Sequence, residues 1–245
     1  MSILATETLC NERQKMIRDL EWNLVQQVLP AGPGRFLDVG CGTGYQMAKA
    51  KAMGFDVTGI DPHPGTDGVH AELVTNVRAS IQKGVATSLP FPEGHFDVVF
   101  SSHALVVMED IPGALREMRR VLKPQGTLVL VLDTAVMAWI KILSFALFDT
   151  HNRVRQFFRT PSFSSFGRIL FPPAYRTNLR SAWNEVFAWR IPHWRKLLSP
   201  LFDVQDARPT FLYTFPDYTS FIIRPNSNQL ASAVIVIARP KLGAT

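Results

Sequence analysis

The sequence predicts an α/β fold: a three-layer sandwich in which a mostly parallel sheet lies between two layers of helices. Three observations predict it. From residue 35 onward, short apolar runs alternate with helical stretches, the pattern of βαβ units. One of these runs, Phe36-Leu37-Asp38-Val39, passes into a glycine-rich turn that opens a helix. The next run ends on an acidic residue, Asp61.

Residues 11–29 read as a helix, because Met16, Leu20, Leu24 and Val28 follow a period close to 3.6. Asn11 is placed to cap it, and the Pro30-Ala-Gly-Pro-Gly34 run ends it. Strands follow at 35–39, 56–60, 81–86, 96–101 and 127–132, with helices at 44–53, 70–77 and 111–121 between them. Two later strands, 202–207 and 233–238, are expected to complete the sheet. The stretch between them and the fifth strand is then an insertion. This divides the chain into a core with its N-terminal helix at 1–133, a lid at 134–200 and closing strands at 201–245.

Composition narrows the function classes. The chain has 245 residues, 47% hydrophobic and 19% charged, enough apolar content for a full core and too much for a disordered protein. Two cysteines, Cys10 and Cys41, exclude a disulfide scaffold and give no zinc site. No apolar run reaches the roughly 20 residues that span a bilayer. The N-terminus lacks the apolar segment of a signal peptide, so a cytoplasmic location is expected, with membrane association open. The net charge of +6 is concentrated in 151–200, which hold nine basic residues and one acidic residue, Glu185. So local an excess points to an anionic partner.

The glycine loop carries the chemistry. Glycines are needed where main chain must approach a ligand and where φ is positive. Asp61, 23 residues after Asp38, is placed to bond ribose hydroxyls. The bland alternative is a tight turn with Asp61 as its cap. A dinucleotide site needs G-x-G-x-x-G. Counted from Gly40, the third glycine falls on Tyr45, and counted from Gly42 it falls on Met47. A nicotinamide oxidoreductase is therefore disfavoured.

Asp38-Val-Gly-Cys-Gly-Thr-Gly44 resembles the first motif of class I S-adenosylmethionine-dependent methyltransferases. The segment from Ser88 through Asp97 to Phe100, and that from Glu117 through Lys123 and Gly126 to Leu128, resemble later motifs of that family in the same order. The resemblance covers roughly 30–133. It implies a Rossmann-like, seven-stranded fold and S-adenosyl-L-methionine as cofactor. By this likeness Gly40, Gly42 and Gly44 pass under the methionine part and Asp38 supports the loop. Asp61 holds the ribose, and Ala86 and Thr87 flank the adenine. Ser101, Ser102 and His103 line the methionine side and the acceptor mouth. The sequence departs from the family at Val85, where an Asp commonly accepts from the adenine amine.

Methyl transfer is an in-line displacement that depends chiefly on holding the acceptor atom about 3–3.5 Å from the methyl. An amine or thiol acceptor needs no base, whereas a hydroxyl or carbon acid does. The base candidates are His103 and Asp133. The bland reading of His103 is a polar residue in the first turn of a helix capped by Ser102. That of Asp133 is the cap of the next helix. Cys41 reads as a small loop residue and Asp97 as structural.

Residues 134–148 are apolar nearly all round, with Thr134, Lys141 and Ser144 forming a narrow polar stripe. Residues 151–200 interleave ten aromatics, among them Trp183, Phe187, Trp189 and Trp194, with arginines such as Arg153, Arg155 and Arg159. Three readings compete: a solvated helical lid, a face meeting anionic membrane, and an RNA surface. Nucleic acid is disfavoured because no RNA-binding module is legible. The expected acceptor is a small apolar or amphipathic molecule, lipophilic or aromatic. The rival is a non-catalytic membrane- or RNA-binding protein on the same fold. Nothing in the sequence specifies an oligomeric state.

Overall fold

The computed structural model describes residues 3–66, 68–144, 182–213, 222–241 and 243, with side chains from residue 11 onward except those of Ser144 and Ala182. Most of the basic, aromatic stretch, including Arg153, Arg155 and Arg159, lies outside the described residues.

A seven-stranded sheet has the order β3-β2-β1-β4-β5-β9-β6. Its strands are β1 (Arg35–Val39), β2 (Asp56–Asp61), β3 (Ile81–Lys83), β4 (Phe96–Ser102), β5 (Leu122–Asp133), β6 (Phe202–Pro209) and β9 (Ala233–Pro240). The strands β1 to β5 run parallel, and β9 lies antiparallel to both β5 and β6. A short pair, β7 (Leu212–Tyr213) with β8 (Ile222–Ile223), stands apart. The helices are α1 (Ile3–Val25), α2 (Tyr45–Ala52), α3 (Ile111–Val121), α4 (Ala135–Ser144), α5 (Ala182–Ala188) and α6 (Ile191–Leu198).

Both faces of the sheet are buried, as a sheet covered by helices requires. Along β5, Leu128, Leu130 and Leu132 enter one core with Leu115 and Met118 of α3 and with Ala138 and Ile142 of α4. The alternate residues Val129 and Val131 enter the other core with Trp22 and Val25 of α1 and Met47 and Ala50 of α2. Phe100 is fully buried there, edge-on to Trp22 at 6.0 Å and 5.6 Å from Phe36.

Three local expectations need correction. The first helix starts at Ile3, and Asn11 lies inside it instead of capping it. Its amide donates to the His70 carbonyl at 3.0 Å and accepts from the His70 amide at 2.9 Å. The polar side chain reaches another segment because the helix continues past it. The expected helix at 70–77 is a 3-10 turn, Glu72–Asn76. The fifth strand begins at Leu122, five residues early, where Leu122 pairs with Phe96; the register then shifts before Val98 pairs with Thr127. Asp97 is structural, accepting from the Arg35 amide at 2.9 Å and from Lys123 at 2.6 Å.

Strand order reverses between β1 and β4. In open α/β sheets ligands bind beyond the carboxyl ends of the strands at such a point.

Candidate active site

A cleft of about 1060 Å³ lies at that place. It lies just above the roughly 300–1,000 Å³ range of small-molecule sites, so it offers room for a nucleoside-sized ligand and a second molecule beside it.

One end is the glycine loop. Gly40, Gly42 and Gly44 have φ of 77°, 53° and 84°, the left-handed region that glycine enters without strain. A Cβ on Gly40 would stand 2.3 Å from that of Ala104, so any side chain there would force the β4 exit away. Gly40 and Gly42 line the cleft, while Gly44 lies behind them as the residue that opens α2. Asp61, at the tip of β2, fixes this end. One carboxylate oxygen accepts from the Gly42 amide at 2.9 Å and the other from the His63 amide at 2.8 Å. Each oxygen retains a lone pair for a further donor. Val85, Ala86 and Thr87, which follow β3 beside Asp61, also line the cleft.

Asp38 and Ser101 do not reach the cleft wall. Asp38 is buried beneath the loop, and burial together with the nearby Asp61 charge pushes its carboxyl up to about 8. Ser101 is 1% exposed and donates to the Val39 carbonyl at 2.8 Å, tying β4 to β1. The strand's alternation turns Ser101 inward and leaves Ser102 on the cleft, where it accepts from Gln46 at 3.2 Å. Cys41 also lines the cleft, but burial first, then the Asp38 and Asp61 charges, push its thiol far above the usual range. It is no nucleophile.

His103 occupies the middle of the cleft in a setting the sequence did not reveal. No helix follows Ser102. His103 has a φ of 56°, alone among the described non-glycine residues in being left-handed, and the chain then makes a 3-10 turn, Leu105–Val107. Its Nδ1 donates to Asp133 Oδ1 at 2.5 Å, and its Nε2 donates to Glu21 Oε1 at 3.1 Å. Glu21 is fully buried and also accepts from Arg18 at 2.6 Å and from the Tyr213 hydroxyl at 3.1 Å. Burial and Arg18 both disfavour charge on the imidazole, but the Glu21 and Asp133 carboxylates outweigh them and hold His103 above its ordinary value. Burial alone would raise Glu21; His103 and Arg18 instead lower it to about 2. With both ring nitrogens facing carboxylates, the imidazolium form of His103 is favoured, and in that form the ring has no lone pair to take a proton.

Asp133 is therefore engaged with His103, and the helix cap falls to its neighbour. The Thr134 hydroxyl accepts from the Val136 amide at 3.2 Å and donates to the Ala231 carbonyl at 2.5 Å. The cleft is also lined by Val106, Met108, Met137 and Lys141 with Arg18, Asp133 and Tyr213. Among the described residues, no group of His, Cys, Asp and Glu could hold a metal ion.

Residues 37–130 match the sequence profile of the family described as the methyltransferase domain. Over 103 residues the chain is 43% identical to a 2-methyl-6-phytyl-1,4-hydroquinone methyltransferase of Synechocystis sp., covering 41% of this chain and 32% of that protein. It is 35% identical over 111 residues to a 2-phytyl-1,4-naphtoquinone methyltransferase of Synechococcus elongatus, covering 42% of this chain and 47% of the other. The chain thus spans less than half the length of these relatives. A solved structure of a SAM-dependent methyltransferase from Thermotoga maritima shares the fold at 19% identity, with a TM-score of 0.54 over 94% of both chains. Residues 37–130 thus match a methyltransferase domain, and that likeness implies S-adenosylmethionine as the cofactor.

Proposed function

We propose that the protein transfers the methyl group of S-adenosylmethionine to a small acceptor with a lipophilic or aromatic body and a polar head. The observation that carries this reading is that one cleft is lined both by Gly40, Gly42 and Asp61 and by Val106, Met108 and Met137. The first set fits the cofactor: the main chain is bare at the glycines, and Asp61 has acceptor capacity left for a ribose. The second set is apolar with polar groups beside it, suited to an amphipathic acceptor. The names of the two quinone-type relatives support an acceptor of this class.

When bound, the cofactor supplies an electrophilic methyl on a sulfonium. In this reading Gly40, Gly42 and Gly44 let the loop run close to the methionine part while Asp38 supports it from below. Asp61 holds the ribose, Ala86 and Thr87 flank the adenine, and Ser102 borders the reacting centre. His103 is a positioning residue. It ties the exit of β4 to α1 and β5, and so fixes the wall against which the acceptor rests. Transfer then depends on alignment, with the acceptor atom held about 3–3.5 Å behind the methyl.

A peripheral contact with anionic membrane is the second part of the reading. Trp139 and Leu143 on α4 and Phe187 on α5 are exposed, and Arg190 stacks on Phe187 at 4.7 Å. Exposed aromatics beside a cation suit an interface with headgroups. No helix among the described residues is long and apolar enough to cross a membrane.

Thermal unfolding with S-adenosylhomocysteine, and separately with NADH, tests the cofactor. The former at about 100 times its dissociation constant should add about 2.7 kcal/mol, a rise of several degrees for a domain of this size. No rise at millimolar concentration, or a rise with NADH alone, would sink the reading. Labelled methyl donor incubated with fractionated cell extract should place label in the lipid or aromatic small-molecule fraction.

A further inference from the structure

We infer that Val85 sets the base specificity of the cofactor subsite: the purine is held there by apolar contact, its exocyclic amine is not read, and cofactors altered at that amine are accepted. The inference rests on the methyltransferase reading above and deepens it at the cofactor's base.

The sheet order places the base. The strands run β3-β2-β1-β4-β5, with neighbours about 4.8 Å apart. In the reading above, Asp61 at the tip of β2 takes the ribose, and the glycine loop at the tip of β1 takes the methionine part. The methyl then points away from β3, towards the acceptor beside Ser102 after β4 and Met137 after β5. Base and sulfonium leave opposite sides of a ribose, so the base points over the tip of β3. The chain lies close there. Asp61 pairs with Lys83, and the Gly84 amide donates to the Asp61 carbonyl at 3.1 Å. Residues 62–66 turn back towards the glycine loop, where the Gly65 amide donates to the Gly42 carbonyl at 3.0 Å. The wall on the β3 side is therefore Gly84 to Thr87.

That wall carries no fixed side-chain acceptor. Val85 is 50% exposed and lines the cleft, with Ala86 beside it. The Thr87 hydroxyl is exposed and can either donate or accept, so it does not select an amine. The Ser88 amide donates to the Val85 carbonyl at 3.2 Å and closes a turn. The amides of its two central residues, Ala86 and Thr87, stay out of that bond and can meet ring nitrogens. The other carboxylates of the cleft stand elsewhere. Asp110 and Glu109 lie between β4 and α3, where Asp110 accepts from the Gly113 amide at 2.8 Å and Glu109 is also partnered. Asp133, at the tip of β5, is bonded to His103. A site that bonds a ligand N–H through a fixed acceptor rejects the analogue lacking it, because the acceptor is left unpaired. Val85 leaves nothing unpaired. Since it is half exposed, the wall opens to solvent there, and a substituent on the amine projects into water.

Calorimetry on the full chain tests this with S-adenosylhomocysteine and two analogues. One is N6,N6-dimethylated, and the other carries hydrogen in place of the amine. Both keep the ring nitrogens and lose the N–H donors. Both should bind within about fivefold of S-adenosylhomocysteine, less than the loss of one hydrogen bond to a charged group. Val85→Asp supplies a fixed acceptor and should bind S-adenosylhomocysteine at least about tenfold tighter than the dimethyl analogue. Val85→Asn replaces it if the aspartate variant does not fold. A larger loss with either analogue in the unaltered protein would overturn the inference. So would equal affinity for S-adenosylhomocysteine and the dimethyl analogue in the variant, which would remove residue 85 from the base. No binding of S-adenosylhomocysteine itself at millimolar concentration would instead strike the methyltransferase reading.

Discussion

Glu21 on α1 and His103 after β4 meet at 3.1 Å although 82 residues separate them. The contact joins the N-terminal helix to the middle of the cleft. It is almost dry, because Glu21 is fully buried and His103 has a side-chain exposure of only 12%. Removing one member of a buried pair leaves the other charge unpaired, at about 3–5 kcal/mol. Glu21→Gln is expected to destabilise the fold by an amount in that range in urea unfolding, and Glu21→Leu with His103→Leu together by less than the two single losses added. Strict additivity would show that the residues do not interact.

The pair also sets a pH window. Glu21 is depressed to about 2 in the fold, so its contribution is complete above roughly pH 4.5 and is lost as pH falls towards 2. His103 is raised, so its contribution is complete below about pH 6.5 and is lost as pH climbs through the folded value. Asp38 acts in the opposite sense to Glu21. Its folded pKa near 8 makes stability decline from about pH 4 upward. The difference between the unaltered protein and His103→Gln isolates the pair. That difference should be largest between about pH 4.5 and 6.5 and shrink on both sides. A difference that grows above neutrality would contradict an imidazolium at this position.

Catalysis by alignment has a kinetic signature at His103. With its protons already in place, the imidazolium cannot act as the base for a hydroxyl acceptor. His103→Ala, measured below its melting range, should lower turnover by less than tenfold. A general base would cost roughly 10²–10⁴-fold. A loss of that larger size with cofactor affinity intact would restore the base assignment.

Asp61 bonds two loop amides in the structure, in addition to the proposed ribose contact. Hydrogen bonds to a charged group contribute about 1.5–3 kcal/mol each. Asp61→Ala should therefore weaken S-adenosylhomocysteine binding by at least tenfold in calorimetry. Asp61→Asn, which keeps an acceptor oxygen, should lose less. Unchanged affinity in the alanine variant would remove Asp61 from the cofactor site.

The sheet was legible because its signals are local. The apolar runs gave β1, β2, β4 and β9 to within a residue or two at their starts, and the helical stretch at 111–121 matches α3, which the structure caps with Asp110, its side chain accepting from the Gly113 amide at 2.8 Å. The glycine loop was legible because positive φ restricts residue choice. The charged centre was not. Glu21 falls within a helical pattern that reads as surface, and Tyr213 meets it across 192 residues. No periodicity reports a contact at such separation. Asn11 failed for the opposite reason: a good local cap signal was overridden by a tertiary partner, His70. Ser101 and Ser102 look alike in sequence, and only the pleat of β4 turns one inward and the other to the cleft.

The membrane part of the reading is tested on the described face of α4 and α5. Trp139, Leu143 and Phe187 are 46%, 56% and 62% exposed, with Trp139 edge-on to Trp183 at 5.5 Å. Apolar insertion contributes roughly 25 cal/mol per Å² buried, and each basic residue near an anionic surface adds about 1 kcal/mol. The two contributions differ in their response to salt, since only the second is screened. The protein is expected to sediment with vesicles rich in anionic lipid at low salt and less with neutral vesicles. Trp139→Ala with Phe187→Ala should reduce sedimentation at every salt concentration. Arg153, Arg155 and Arg159 changed together to Gln should reduce it chiefly at low salt. Both variants should keep their stabilisation by S-adenosylhomocysteine; Trp139 and Phe187 are not among the residues that line the cleft. Equal and negligible sedimentation with both vesicle types would remove membrane contact from the reading.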